Sequence, residues 1–350
     1  MDTLTHALSG ALLVRATEAG DASARALPRA TRMWVGFWAA AFPDSDFVLR
    51  FIDPLMYLTT HRGVTHSVVL LPVWALALGV TFFYLTRRRY SWRALTVVAG
   101  LGIGAHIVGD VITAFGTMMF APLSQTRVAW PTTFIIDPYF SVIIIAGLIA
   151  SARWPSTRKP AVIGLALLAG YVGFQGLLHQ RALDIGRAHA ARTAPGARVH
   201  ALPQPFTPFH WLVVVEQPER YDMAYVSLWR TERASAPPAD ASWLRQHLAV
   251  YDPPAQARWR EVPRYGDARY APLAQTLWES DVLAAYRHFA LLPALYAAEV
   301  TDARQCLWFE DLRFALVGRE MPFRYGACRE GERWQVHRYG EGPAPARDRG

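Results

Sequence analysis

Hydrophobic residues form long runs in the first half of the chain and short alternating runs in the second half. Four of the long runs approach the roughly 20 residues that a membrane-spanning helix requires, and they cover 68–85, 94–115, 134–152 and 161–178. Two shorter runs, 4–14 and 33–42, are too short to cross a membrane and predict short or re-entrant helices. The pattern predicts a mostly α fold, a polytopic helical membrane bundle with four long spans.

After about residue 200 the pattern changes to that of strands. Alternating or apolar runs occur at 211–215, 224–229, 295–300, 306–315 and 334–339. Helical spacing occurs at 241–250 and 279–290. We therefore predict a small soluble α+β domain behind the bundle. The expected organisation is a membrane domain over 1–182, a linker over 183–202, a soluble domain over 203–340 and a disordered tail over 341–350.

Composition and charge restrict the class of protein. Hydrophobic residues make up 52% of the chain and charged residues 18%, with a mean hydropathy of +0.11, which argues against one small soluble domain. The net charge is +8, but the basic residues form no stripe with interleaved aromatic residues. We therefore expect membrane lipids, and not nucleic acid, among the partners.

The arginines predict how the bundle is oriented in the membrane, because short cytoplasmic loops collect Lys and Arg. The connections 43–66 and 110–138 carry only Arg50, Arg62 and Arg127. The alternate connections carry Arg15, Arg25, Arg29, Arg32, Arg87, Arg88, Arg89, Arg93, Arg153, Arg158 and Lys159. This asymmetry places the arginine-rich turns in the cytoplasm and the C-terminal domain outside it. The two cysteines of the chain, Cys306 and Cys328, could form one bridge there.

Histidines and aspartates gather at the predicted outward ends of the apolar half. Each ionisable group within a span costs roughly 2.5–3.5 kcal/mol on insertion scales, so such groups normally pair or face a cavity. His106 and Asp110 are four residues apart and share one helix face. Mixed His and Asp donors suit zinc, with manganese as an alternative. We predict one or two divalent ions with ligands among His6, Asp44, His61, His66, His106 and Asp110.

Four further residues of this region receive predicted roles. Asp46 and Asp137 are candidate catalytic residues, each as a general base or as a partner that orients a histidine. Arg62 and Arg127 are candidates for binding an anionic group of the substrate. The alternatives are structural: Asp137 precedes a proline and fits a helix N-cap equally well, and one of Asp44 and Asp46 fits a turn.

These residues resemble one known group, the bacterial inner-membrane metal-dependent hydrolases, which are also described as LexA-binding membrane proteins. The resemblance is carried by a set of short motifs before residue 141, in the order Met1-Asp-Thr-Leu-Thr-His6, Pro43-Asp-Ser-Asp46, His61-Arg-Gly-Val-Thr-His-Ser67, His106-Ile-Val-Gly-Asp110, Thr113-Ala-Phe-Gly116, Pro122-Leu-Ser124 and Ile136-Asp-Pro-Tyr-Phe140. It implies a membrane protein with a metal site more firmly than it implies any substrate.

Two classes of function follow. The first is an integral membrane hydrolase, in which metal-activated water attacks an ester or phosphoester of a lipid-like or amphiphilic substrate at the outward face. The second is a non-enzymatic membrane protein that uses the cluster to handle ions or protons, or as a regulatory scaffold. The runs 68–85 and 161–178 carry no acidic residue, basic residue or histidine, so a continuous path for ions is not predicted.

Overall fold

The computed structural model describes residues 1–18, 27–238, 240–300 and 305–340. The predicted tail 341–350 and Arg25 lie outside the described residues. Two compact units are present, and each is described by itself. The first contains Met1–Ile52, Thr60–His179 and Pro205–Pro208, and the second contains the remainder.

Helices dominate the N-terminal half of the chain. In chain order they are α1 (Thr3–Ala16), α2 (Arg29–Ala41), α3 (Pro54–Thr60), α4 (Leu71–Leu85), α5 (Trp92–Val111), α6 (Pro138–Arg153) and α7 (Lys159–Thr193). Two 3₁₀ segments, Phe42–Phe51 and Val64–His66, lie between α2 and α4. The prediction of a mostly helical N-terminal region is confirmed.

The helices differ in length from the predicted spans. α5 and α7 are long and apolar enough to cross a membrane, and the segment Pro54–His66 joined to α4 with a bend of 79° would be a third crossing if it is counted as one span. α4 has 15 residues and α6 has 16. Four long spans are therefore not confirmed.

Local hydrogen bonds explain why α4 and α6 begin later than their apolar runs. The Ser67 hydroxyl accepts hydrogen bonds from the backbone N–H groups of Val69 and Leu70, which ends the preceding turn before α4 starts. Asp137 precedes a proline, which disfavours helical backbone at that position. Its side chain instead caps α6. Polar side chains, and not hydropathy, set these two boundaries.

Glycines let α1, α2 and α5 approach one another closely. A Cβ atom on Gly102 of α5 would lie 2.7 Å from the Gly36 carbonyl oxygen of α2, and one on Gly10 of α1 would lie 2.5 Å from the same oxygen. Buried apolar side chains, including Val35 and Ala99, pack beside this contact. Ala40 and His106 are thereby held within hydrogen-bonding distance.

The second unit contains two antiparallel sheets of four strands each. The first has the order β1 (Arg198–Pro203), β2 (His210–Glu216), β3 (Arg220–Ser227), β4 (Arg260–Pro263). The second has the order β5 (Pro293–Val300), β6 (Gln305–Asp311), β7 (Tyr325–Glu330), β8 (Arg333–Arg338). Its helices are α8 (Trp243–Ala249), α9 (Ala271–Glu279) and α10 (Ala284–Phe289). A small α+β domain is present as predicted. The sequence did not predict three of its strands, which are β1, β4 and β7.

The range 183–202, predicted as a linker, is mostly regular structure. α7 continues to Thr193, and β1 starts at Arg198. Small residues at a spacing of four explain the continuation: Ala182 and Ala190 are buried, and a Cβ atom on Gly186 would collide with Val199 of β1. The last turns of α7 therefore pack on the sheet.

Cys306 and Cys328 are directly opposite each other on β6 and β7 and form a disulfide. Both sulfur-bearing side chains are buried beside Trp308. The bridge joins two neighbouring strands of the second sheet.

A buried histidine links the stability of the second unit to pH. His210 of β2 is stacked on Tyr251, with ring centroids 4.0 Å apart, and burial lowers its pKa to about 3 from the ordinary 6.5. The unfolded chain binds a proton at this residue between those two pH values, and the folded chain does not. The stabilising contribution is therefore complete above pH 6.5 and is lost as the pH falls toward 3.

We expect the free energy of unfolding of the full chain to decrease as the pH is lowered from 6.5, with a slope of up to about 1.4 kcal/mol per pH unit from His210. The unfolding temperature should decrease with it. His210→Gln should flatten this slope, and the exposed His288→Gln should leave it unchanged. Thermal unfolding in detergent between pH 7.5 and pH 5 measures it. Equal slopes in the wild type and His210→Gln would contradict the assignment.

Gly102→Ala should destabilise the first unit by about 1–3 kcal/mol, because the added methyl group has no room beside the Gly36 carbonyl. Gly170→Ala is the matched control, since no atom lies within 4 Å of a Cβ at that helical position. Thermal unfolding in detergent compares the two variants. The account of the packing fails if Gly102→Ala unfolds no earlier than the control.

Candidate metal centre

Four side chains bring ligand atoms to one point in the first unit. Asp44 comes from the 3₁₀ segment after α2, His66 from the one before α4, and His106 and Asp110 from α5. One ligand atom from each lies within 4.8 Å of the other three. Both histidines and Asp110 are fully buried, and the Asp44 side chain is 15% exposed.

The histidine nitrogens approach the carboxylate oxygens without forming hydrogen bonds. His66 Nε2 lies 3.2 Å from Asp110 Oδ2 and 3.6 Å from Asp44 Oδ1. His106 Nε2 lies 3.3 Å and 3.6 Å from the same two oxygens. Both Nε2 atoms and Asp110 Oδ2 are buried without a hydrogen-bond partner among the described residues. Buried polar atoms are rarely left unpaired in this way.

The donor types, and the nitrogen–oxygen distances between them, are compatible with a tetrahedral divalent cation. Zinc binds histidine nitrogen and carboxylate oxygen at about 2.0–2.2 Å, so the edges of such a tetrahedron measure about 3.3–3.6 Å. The four measured nitrogen–oxygen distances are 3.2–3.6 Å. A cation at the centre would satisfy the unpaired atoms at once. This part of the structure could therefore bind a metal ion.

Second contacts of the histidines leave each Nε2 free to act as a ligand. His106 Nδ1 lies 2.6 Å from the Ala40 carbonyl oxygen, which can only accept, so Nδ1 carries the proton. His66 Nδ1 lies 2.9 Å from the Thr65 hydroxyl, which donates to Asp46 Oδ2. His66 Nδ1 is therefore the donor of that pair, and both Nε2 lone pairs point toward the cluster.

Asp110 uses its two oxygens differently. Oδ1 accepts from the Met1 amine at 2.9 Å, from Arg62 Nη2 at 2.9 Å and from His6 Nε2 at 3.0 Å. Oδ2 faces the histidines and receives no hydrogen bond from the part of the chain that the structure describes. Positive charge on one side thus offsets the burial of the carboxylate while its other oxygen stays available.

The structure places two of the predicted ligands next to the four-atom cluster and not in it. His6 is bonded to Asp110 through Nε2 and stacks on the His106 ring, with centroids 3.8 Å apart. His61 Nδ1 lies 2.8 Å from Asp46 Oδ1, and its ring centroid lies 5.4 Å from that of His66. The cluster has one set of four donors, which accounts for one ion.

The predicted catalytic aspartates lie in different surroundings. Asp46 holds His61 through one oxygen and Thr65 through the other, next to the cluster. Asp137 is the N-cap of α6: Oδ1 accepts from the Tyr139 and Phe140 N–H groups. Its Oδ2 accepts from the Tyr171 hydroxyl and from Gln175 Nε2. Asp137 thus makes the N-cap contacts of the structural alternative, and its catalytic role stays a prediction.

Arg62 and Arg127 make hydrogen bonds that hold the backbone around the cluster. Arg62 is 2% exposed and donates to the Thr113 hydroxyl as well as to Asp110. Arg127 donates to the carbonyl oxygens of His61 and Gly116. Both guanidinium groups lie over the Phe115 ring. Both residues therefore have structural contacts at the cluster, and their role in substrate binding stays a prediction.

Sequence reasoning missed three groups that order the ligands. The Thr65 hydroxyl accepts a hydrogen bond from His66 Nδ1 and donates one to Asp46 Oδ2. The Ala40 carbonyl fixes the His106 tautomer, and Thr3 donates to Asp44 Oδ2 at 2.6 Å. Thr65 and Thr3 both lie within motifs of the sequence, Thr65 between two histidines and Thr3 before His6, but a motif does not show which side chain each hydroxyl contacts. The Ala40 carbonyl could not be predicted, because every residue has a backbone carbonyl group.

His66→Ala should lower zinc affinity by more than about 100-fold, because a ligand is removed, and Thr65→Val by roughly 10-fold, because only the orientation of His66 is lost. Asp137→Asn should retain zinc although it weakens the cap of α6. Elemental mass spectrometry and competition with a chelating dye measure the affinities. Unchanged zinc content in His66→Ala would exclude the cluster as the site.

Comparison with known proteins agrees with the predicted resemblance. A family model described as YdjM inner membrane protein matches residues 1–182, a range that contains all four ligand residues. One relative is the uncharacterized protein YfhP of Bacillus subtilis (strain 168), which is 29% identical over 180 residues, 50% of this chain and 52% of the relative. The chain therefore spans about half the length of that relative. No solved structure matches the chain. Because the family model covers more than half of the 350 residues, the chain belongs to the YdjM inner membrane protein family.

Proposed function

We propose that the protein is an integral membrane metal-dependent hydrolase that cleaves an ester or phosphoester of a lipid-like or amphiphilic substrate. The cluster of Asp44, His66, His106 and Asp110 is the main support for this proposal. It places four potential metal-ligand atoms close together at the end of a helix that could span the membrane. Zinc is the ion that fits best by donor type and spacing, with manganese as the alternative.

The chemistry depends on access for water and on a group that moves protons. When bound, a divalent cation of this kind lowers the pKa of its water to about 7 and so supplies hydroxide. Four protein ligands fill the positions of a tetrahedral cation, so water could bind only if Asp44, the one partly exposed ligand, gave up its position or if a fifth position opened beside it. The His61–Asp46 pair lies next to His66 and is the candidate general base, with Asp46 orienting the imidazole through Nδ1.

The distribution of ionisable groups favours a hydrolase over an ion or proton carrier. His106 and Asp110 lie in the last two turns of α5, and residues 94–105 of the same helix contain no ionisable side chain. A carrier would need polar groups along the length of its spans. A site confined to one end of the helix suits a reaction at the membrane surface.

We also propose that the C-terminal domain lies outside the cytoplasm of a bacterial cell. Two features support this placement. The arginine-rich connections alternate along the N-terminal half, and the Cys306–Cys328 disulfide of the second sheet is typical of an oxidising compartment. The metal cluster would then also face outward.

Purified protein in lipid nanodiscs, loaded with zinc or manganese, should hydrolyse at least one member of a panel of lipid esters and phosphoesters. Chelation should abolish turnover and added metal should restore it. His61→Gln should retain the metal but lose about 10²–10⁴-fold in kcat, because the proton acceptor is removed. Asp137→Asn serves as the control and should keep its activity.

Two results would contradict the proposal. The first is a folded, metal-loaded wild type that turns over no panel member faster than His61→Gln does. The second is turnover that survives the removal of His66. A metal-loaded protein without hydrolysis would instead support the non-enzymatic alternative, in which the cluster is a structural part of a scaffold.

A further inference from the structure

An apolar groove of ≈ 870 Å³ lies in the first unit between α5 and α7. Glycines and apolar side chains line it, among them Gly104, Val108 and Trp130. Ser9 is the one lining residue with a hydroxyl group, and that hydroxyl already donates to the Thr5 carbonyl. A volume of this size is typical of sites for small organic ligands. The lining selects an occupant without polar groups.

Open glycines form the floor of the groove. A Cβ atom on Gly104 would find its nearest neighbour, Leu71 Cδ1, at 3.9 Å, and one on Gly173 would meet nothing within 4 Å. Gly102 on the same helix behaves differently, because it is pressed against α2. Close helix packing therefore explains one glycine face of α5 but not the other. The second face is left open to a molecule that is not part of this unit.

The length of the groove indicates the kind of molecule. Along α5 it extends from Gly100 to Val111, which is about 17 Å at 1.5 Å per residue. One leaflet of a bilayer has a hydrocarbon thickness of about 15 Å, half of the full core. A transmembrane helix of a partner would follow a full span of about 30 Å. The groove thus matches one acyl chain better than it matches a helix.

The groove also adjoins the metal cluster. Gly109 lines it, and a Cβ atom on Gly109 would lie 3.0 Å from His6 Cε1. His6 in turn is bonded to Asp110 and stacked on His106. A single imidazole ring therefore separates the groove from two of the four ligand residues.

We infer that the groove binds an acyl chain of a membrane lipid from the leaflet next to the cluster. The lipid's polar head then lies at the level of Asp44, His66, His106 and Asp110. If the proposed hydrolase function holds, acylated membrane lipids are its substrate class, and this last step rests on that function. The binding of the chain itself does not depend on it.

Photo-crosslinking tests the binding directly. The full chain is reconstituted in vesicles of phosphatidylglycerol and phosphatidylethanolamine that contain a phosphatidylglycerol with a diazirine in one acyl chain, and labelled peptides are identified by mass spectrometry. Labels should concentrate on residues 100–111 and 165–173. Gly104→Leu and Gly173→Leu should reduce this labelling roughly tenfold, since each added side chain displaces about two methylenes of the occupant.

Gly170→Leu is the matched control. Gly170 precedes Gly173 on α7 and has equally open surroundings, but it does not line the groove, so labelling should be unchanged. Thermal unfolding in detergent measures whether all three variants are folded. Uniform labelling around the bundle, or labelling that the filling variants do not alter, would overturn the inference. So would a wild-type dimer that dissociates in Gly173→Leu, because a second copy would then occupy the groove. Labelling in the groove without lipid hydrolysis would refute the proposed function and leave the binding site standing.

Discussion

The burial of Asp110 near the end of a membrane helix is the constraint on which the rest of the first unit depends. A carboxylate without exposure needs either positive charge or a full set of donors. Met1, His6 and Arg62 provide these at Oδ1, while Oδ2 is turned toward two histidine nitrogens that have no hydrogen bond. One oxygen of the carboxylate is thus paired by the protein, and the other is available as a ligand for a cation.

Helix packing makes this arrangement possible. Gly10, Gly36 and Gly102 allow α1, α2 and α5 to approach at backbone distance. The same approach brings the Ala40 carbonyl to His106 and the His6 ring to Asp110. A larger residue at any of the three glycines would move a ligand or its partner. The same helix contacts therefore support both the fold and the site. Substitution of these glycines should lower metal affinity and stability together.

The sequence predicts the chemistry of the site better than its exact membership. Ionisable residues in apolar runs are costly, so His66, His106 and Asp110 can be recognised as a group from the amino-acid pattern alone. Which atoms converge depends on helix rotation and loop path, so His6 and His61 could not be separated from the ligands by spacing. Asp137 fits a cap and a functional residue equally well in sequence, and the structure adds four hydrogen bonds that make it the cap of α6.

For the fold as well, the hydropathy pattern predicts part of the structure, and contacts with neighbouring residues determine the rest. Hydropathy located the helices, but it could not show that Ser67 and Asp137 delay α4 and α6, because local hydrogen bonds set those boundaries. The sequence did not predict β1, because its residues overlap the range predicted as a linker. It did not predict β4, which has only four residues. Short strands of this kind are specified by their neighbours in the sheet more than by their own residues.

The central claim is that Asp44, His66, His106 and Asp110 hold one divalent cation together. X-ray absorption spectroscopy of the zinc-loaded protein tests it most directly, because the spectrum reports the ligand atoms themselves. The structure predicts a shell of four light atoms at about 2.0–2.2 Å with the multiple scattering of two imidazole rings. A shell of six oxygen atoms, or a spectrum without imidazole scattering, would contradict it.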